Sequence, residues 1–464
     1  MATARQNLAT FRSTGNAILS NAGDLLRAAI TQPVLFRSAL PVLVLRMSGA
    51  VLAVASAVLL ARFLGKDGYG IYAWALATFS LLAMPIQQAL PMLVVRETAR
   101  ADAERDWRRM RGLWRWSTGI SLATSAVMTL CVLVAASYLV DDVHFRTLAY
   151  AAALMPLLAL GNLRGAALRG LRHVVTGQLP ELIIRPAGFL ALMIAASASI
   201  PAGGKWAPDT AMATHLVAAG ITFVIGLMLL LIRSPRSMQA ERGADYCHRE
   251  WASSMFPLTM TSILQAMNQN IAVLALSAFA TDADVGIYAA TATLAALVSF
   301  GLQITSLSTA QHVARLHTQR RWAALQTLAK NTSIATLAFA LPIASTFFVA
   351  GDLVLQHAYG PHFIAGRTTL AILAFGQLVN AGAGSVGMLL VMTGNERLAA
   401  SSLGWAVLTN AAATVVAVPM LGVTGAGVAT TVSLITWNVL MWRAVRRTLG
   451  IETFGLLSWQ PPHA

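Results

Sequence analysis

Apolar residues gather along this chain into twelve long runs separated by short polar connectors: residues 41–61, 70–95, 116–139, 148–168, 174–200, 210–232, 254–280, 286–310, 331–350, 368–392, 398–418 and 424–442. A helix needs ~20 mainly apolar residues to cross ~30 Å of hydrocarbon. The pattern therefore predicts an all-α integral membrane protein with twelve transmembrane helices. The longest polar connectors, near 96–115 and 233–253, span about twenty residues each and leave almost nothing for an extramembrane domain. Function must reside within or between the helices.

The runs repeat. At a constant offset of 216 residues, Pro41 pairs with Pro257 and Phe63 with Phe279. The segment from Gly70 to Ala73 pairs with Gly286 to Ala289, Gln87 with Gln303, and Ala213-Thr214 with Ala429-Thr430. About half the protein is thus a duplicated unit of six predicted helices. Six is even, so both copies enter the membrane from the same side and are related by an axis along its normal. Two six-helix lobes facing each other across a central cavity follow. The predicted segments are an amino-terminal cytosolic or interfacial stretch (1–40), an N-lobe (41–232), a linker (233–253), a C-lobe (254–447) and a carboxy-terminal tail (448–464).

Composition agrees with this reading. Hydrophobic residues make up 57% of the 464 and charged residues 11%, against ~25% charged in soluble domains. The net charge of +15 raises the question of nucleic acid, and its distribution answers it. With the amino terminus cytosolic, that side carries 26 of the 33 Lys and Arg and 10 acidic residues; the opposite loops carry 5 and 7. The two sides come to +16 and −2, the positive-inside pattern with both termini cytosolic. Topology accounts for the basicity.

Residues 1–40 are too polar before the first apolar run for a cleaved signal peptide. Ile18, Leu25, Leu26, Ala29 and Ile30 share one helical face, so this stretch is either a short interfacial helix or a disordered lead. Cys131 lies in the third predicted span and Cys247 in a cytosolic connector, so neither a disulfide nor a metal site is indicated. No cofactor is expected. No phosphate-gripping loop and no large loop with paired carboxylates supports an enzyme.

Two sets of residues carry a family resemblance. The stretch Arg62-Phe63-Leu64-Gly65-Lys66-Asp67-Gly68-Tyr69-Gly70-Ile71-Tyr72 resembles the end of the first span in bacterial oligosaccharide flippases of the multidrug, oligosaccharidyl-lipid and polysaccharide exporter superfamily. Phe375 to Asn380, Met392 to Arg397 and Leu421 to Thr430 resemble that family's last three spans in order and spacing. The resemblance covers the chain from about residue 38. It implies a V-shaped bundle that moves a polyprenyl-pyrophosphate-linked oligosaccharide to the periplasmic leaflet of the bacterial inner membrane by alternating access. Its implied partners are an undecaprenyl-pyrophosphate-linked glycan, membrane lipids and polysaccharide polymerase or assembly proteins. Many relatives have fourteen spans, so a groove built from extra carboxy-terminal helices is not carried over.

Polar residues inside the predicted spans are the candidate site. Arg46, one to two turns into the first run, costs ~2.5–3.5 kcal/mol near a helix centre on insertion scales. Its guanidinium can grip a pyrophosphate bidentately or snorkel to the interface. Arg46 resembles the cationic residues that line the cavity of related flippases. Glu181 and Arg185 stand one turn apart beside Pro186, as a structural ion pair at a kink or as a substrate cation beside an ion-coupling carboxylate. Glu181 is the one acidic residue within any predicted span. Arg164, with Arg169 and Arg172, reads as a headgroup anchor or a substrate contact. Gln87, Asn268 and Gln303 either bond neighbouring helices or face sugars, since the resemblance places the first, second, seventh and eighth helices on the cavity. His215 reads as a packed, hydrogen-bonded imidazole or a proton relay. A multidrug exporter and a lipid II flippase of the same superfamily are the alternative readings.

Overall fold

The computed structural model describes residues 33–198, 206–235 and 243–454. Most of the amino-terminal segment, read as interfacial helix or disorder, falls outside them. Every regular element among the described residues is helical. The helices are α1 (33–64), α2 (66–104), α3 (Trp107–Leu139), α4 (Asp142–Gly170), α5 (Val174–Ser197), α6 (Pro208–Arg233), α7 (His248–Phe279), α8 (Asp282–Thr318), α9 (Trp322–Tyr359), α10 (367–392), α11 (396–421) and α12 (423–449).

By length and composition, nine helical runs among the described residues can cross a membrane. Two of these runs contain sharply non-helical glycines, Gly65 (φ 69°) and Gly422 (φ 55°). The 72-residue run Pro33–Glu104 would stretch ~108 Å if straight, several times the ~30 Å of hydrocarbon. It reverses instead. Arg46 acts electrostatically on Arg169 and Thr98 lies against Gly170, so both ends of the run reach the same end of α4. The same logic folds α11 onto α12 at Gly422, because Asn410 and Ser433 bond one residue, Asn268. Positive φ explains glycine at both reversals.

The expected connector at 96–115 is almost entirely helical. α2 continues to Glu104 and α3 begins at Trp107, leaving Arg105 (φ 57°) and Asp106 as the turn. Charge supports this extension: Arg100 pairs with Glu104 one helical turn on at 3.1 Å, and across the turn Arg109 bridges Glu97 at 2.9 Å and Glu250 at 3.0 Å. The Asp106 side chain caps α3 through Arg109 N at 2.9 Å. A polar sequence here marks helix beyond the membrane.

Helices α1–α6 pack as one group and α7–α12 as another, and the groups meet mainly along α1 and α2 against α7 and α8. The symmetric part of this contact lies at the end of the molecule opposite the basic one, while at the basic end the first turn of α7 is held on α2 and α3 through Glu250 and Trp251. A Cβ on Gly70 would fall on the Asp282 carbonyl oxygen, and a Cβ on Gly286 would fall on that of Lys66. Gly70 and Gly286 are repeat mates, as are Lys66 and Asp282, so the pseudo-two-fold axis passes between the glycines. Around it, Arg62 donates to the carbonyls of Ala358 (2.7 Å) and His357. Tyr69 packs against Tyr359 and Phe363, and His144 reaches Asp282 at 3.2 Å.

Candidate translocation site

Helix α5 changes its winding where the site begins. Pro180–Ile184 form a π-turn between two α-helical stretches, bounded by Pro180 and Pro186, which lack the N–H that a regular helix would use. The wider turn carries Glu181 at its start. Glu181 joins two arginines, Arg164 at 3.4 Å and Arg185 at 3.3 Å. Arg164 also donates to the Phe223 carbonyl at 2.9 Å, and its guanidinium stands over the Phe223 ring.

Glycines make room for this network. A Cβ on Gly226 would coincide with the Arg164 guanidinium, and a Cβ on Gly161 would press on Glu181 Oε1. Arg164 is 4% exposed, held inside the N-lobe by α4, α5 and α6. Arg185 keeps 28% of its side chain accessible. The i,i+4 pair foreseen in the sequence is therefore one side of a three-membered bridge.

Next to it lies His215, whose Nδ1 is 2.8 Å from the Tyr72 hydroxyl and whose ring stacks on Phe189. The repeat mate of Tyr72, Tyr288, makes a matching 2.8 Å bond to Thr430. The bonds join equivalent helices from neighbouring positions, since Thr430 is the mate of Thr214, one residue before His215.

Arg46 stands apart from that network. It lies within electrostatic range of Arg169 and has no ion pair among the described residues, and its Nε is buried without a hydrogen-bond partner, as are the Nε atoms of Arg169 and Arg164. α1 approaches the π-turn closely here, since a Cβ on Gly49 would meet the Leu182 carbonyl at 2.7 Å. Arg169 packs over Gly177, where α4 and α5 touch through Gly165 and Gly177. The pairing of Arg46 with Arg169 spans 123 residues of chain, so no local spacing reveals it.

The amides divide into two groups. Asn268 is committed to helix packing: its Oδ1 accepts from Asn410 at 3.1 Å and from Ser433 at 2.8 Å, and its carbonyl accepts from Asn410 at 3.0 Å. Gln87 accepts a long 3.5 Å bond from Asn162, and its own NH₂ is buried and unpaired. Gln303 is exposed on α8, as are Gln88 on α2 and Gln265 and Gln269 on α7. Gln265 was not singled out in the sequence, although it lies one helical turn before Gln269.

A duplicated all-helical bundle with a buried, glycine-cradled cation cluster defines a membrane transporter rather than a soluble fold. Its architecture resembles three solved structures. An inward-facing multidrug-resistance MATE family transporter of the MOP superfamily has TM-score 0.69 and 12% identity over 88% of this chain and 98% of the other. The lipid II flippase MurJ, in an inward closed conformation, has TM-score 0.68 and 12% identity over 89% and 87%. A MOP superfamily transporter from Pyrococcus furiosus has TM-score 0.61 and 12% identity over 90% and 95%. No curated protein sequence matches the chain. The family model of polysaccharide biosynthesis proteins matches residues 35–310, and the chain belongs to that family.

Proposed function

We propose that this protein flips a polyprenyl-pyrophosphate-linked oligosaccharide from the cytosolic to the periplasmic leaflet of a bacterial inner membrane, for O-antigen, capsule or exopolysaccharide synthesis. In this reading all twelve helices cross the membrane, both termini are cytosolic, and the lobes (41–232 and 254–447, joined by 233–253) rock about their contact. The contact around Gly70 and Gly286 then closes the periplasmic end, and substrate enters from the cytosol.

The observation that supports this best is uncompensated positive charge. Arg46 and Arg169 lie within electrostatic range of each other and neither has an ion pair among the described residues, while Glu181 alone balances Arg164 and Arg185. Two partly buried cations brought near each other repel unless an anion joins them, and a pyrophosphate offers several oxygens to two guanidinium forks. A cationic drug would meet the opposite electrostatics. The exposed glutamines of α2, α7 and α8 supply donors and acceptors for a glycan, and Glu181 is the carboxylate placed to couple an ion.

Extraction of lipid-linked intermediates from cells with and without the protein tests the reading. Loss of the protein is expected to leave completed lipid-linked repeat units facing the cytosol. Arg46→Gln is expected to do the same, with flipping reduced about 10- to 100-fold, the worth of one charge-assisted contact. An unchanged lipid pool together with greater sensitivity to cationic drugs would replace the flippase by a multidrug exporter. Accumulation of lipid II instead would redirect the proposal to a peptidoglycan precursor.

A further inference from the structure

The basic end of the C-lobe contains a cavity that its N-lobe counterpart has filled. It measures about 400 Å³ between α8 and α9 and is lined by His312, Arg315, Gln319, Arg321 and Asn331 over an apolar floor that includes Leu316 and Leu328. That size suits a small ligand or a lipid headgroup.

The duplication shows why the cavity is not simply a product of topology. The α2–α3 and α8–α9 turns superpose residue for residue: Arg105 and Arg320 both take positive φ, Asp106 N bonds the Ala101 carbonyl at 2.9 Å, and Arg321 N bonds that of Leu316 at 3.0 Å. This sets a local offset of 215, one less than elsewhere. At that offset Arg100 corresponds to Arg315 and Trp107 to Trp322, yet every acid of the first hairpin is replaced. Glu97, Asp102, Glu104 and Asp106 become His312, His317, Gln319 and Arg321.

In the N-lobe the cations are satisfied internally. Arg100 pairs with Glu104 and Glu250, and Arg109 with Glu97 and Glu250. In the C-lobe no acidic residue occurs between Asp284 and Asp352, and neither Arg315 nor Arg321 has an ion pair among the described residues.

The space differs as well. Against the N-lobe hairpin lies the linker, with the Asp245 carbonyl where a Cβ on Gly112 would be and Trp251 packed on Leu113 and Trp116. The mates of Gly112, Leu113 and Trp116 are Thr327, Leu328 and Asn331, and these line the open cavity. Residues 455–464 contain no acidic side chain to fill it.

We infer that this cavity binds the phosphate of an anionic membrane lipid. Arg315 and Arg321 take the phosphate oxygens, while Leu316 and Leu328 receive the start of an acyl chain. Trp322 supports a lipid over a soluble anion. Its mate Trp107 is packed against Ala101, Met110 and Leu171, whereas Trp322 is 41% exposed and set against His317, as an aromatic at the membrane surface would be.

The test uses the full chain in phosphatidylcholine vesicles containing a photoactivatable phosphatidylglycerol, with crosslinks mapped after irradiation. Crosslinks are expected within 312–331 and are expected to fall about ten-fold in Arg315→Gln/Arg321→Gln. The charge-matched control Arg443→Gln/Arg447→Gln should leave them unchanged. Equal losses in both variants, or no crosslinks in the hairpin, would overturn the site. Suppression by free inorganic phosphate, matching the variant's loss, would overturn the lipid as its source. Both arginines are exposed, so the single variants, each expected to lose about three-fold, keep the test decisive if the double variant does not fold.

Discussion

At the scale of single residues, the arginines of the N-lobe fall into two kinds, and stability should tell them apart. Arg164 is enclosed and depends on Glu181 for its charge partner. Glu181→Gln leaves that guanidinium buried and under-compensated, at an expected loss of about 3 kcal/mol in unfolding free energy. Thermal denaturation of the purified protein should register it. Arg46 has no partner to lose among the described residues, so Arg46→Gln is expected to change stability by no more than about 0.5 kcal/mol while reducing flipping about 10- to 100-fold. A variant that impairs transport without destabilising the fold marks a substrate contact. Sequence alone marked Arg46 as costly in a membrane and left Arg164 open between headgroup anchor and substrate contact, but could not sort them. The distinction rests on Phe223 and Gly226 in one case and Arg169 in the other, and all three lie far along the chain.

At the scale of helices, the apolar runs predicted where most helices lie and misjudged where they end. Hydropathy reports where lipid contact stops, whereas a helix continues as long as its backbone bonds and side-chain pairs support it. Glu97, Arg100, Glu104 and the Asp106 cap carry α2 and α3 through the predicted connector. The sequence also left Asn268 open between glycan contact and helix packing. In the fold its carbonyl groups hold Asn410 and Ser433, tying α7 to the hairpin of α11 and α12. Removing the side chain takes one bond from each donor, leaving Asn410 on the Asn268 main-chain carbonyl and Ser433 on that of Ala406. Asn268→Ala is expected to cost about 1–3 kcal/mol, measurable as a lower midpoint of thermal unfolding, without shifting glycan preference. Breaks within helices were less legible. Gly384 (φ 70°) interrupts α10, and the carbonyls of Ala381 and Gly382 before it are taken up by Thr336 and Ser333 of α9, at 2.8 Å each. The glycine was visible in the sequence; the hydroxyls that make its break tolerable were not.

At the scale of the whole molecule, the 216-residue offset was the most far-reaching sequence signal, because it contained the symmetry of the contact between halves. Gly70→Val would place a branched side chain against the Asp282 carbonyl and wedge the closed end apart. Spin labels on exposed positions of α1 and α7, at the basic end, should then report shorter separations there as the molecule tips toward its alternate state. Unchanged distances in a folded variant would mean that this contact does not govern rocking. The same glycine pair also bears on the protein's history. Residues on the axis answer to their own copies, so a bulkier side chain at position 70 requires accommodation at Lys66, Asp282 and Gly286 together, and drift there is coupled in the two halves. The two basic hairpins lie at the other end of the molecule from that glycine pair. Each could diverge alone, one accumulating acids until it held the linker, the other losing them until it stood open.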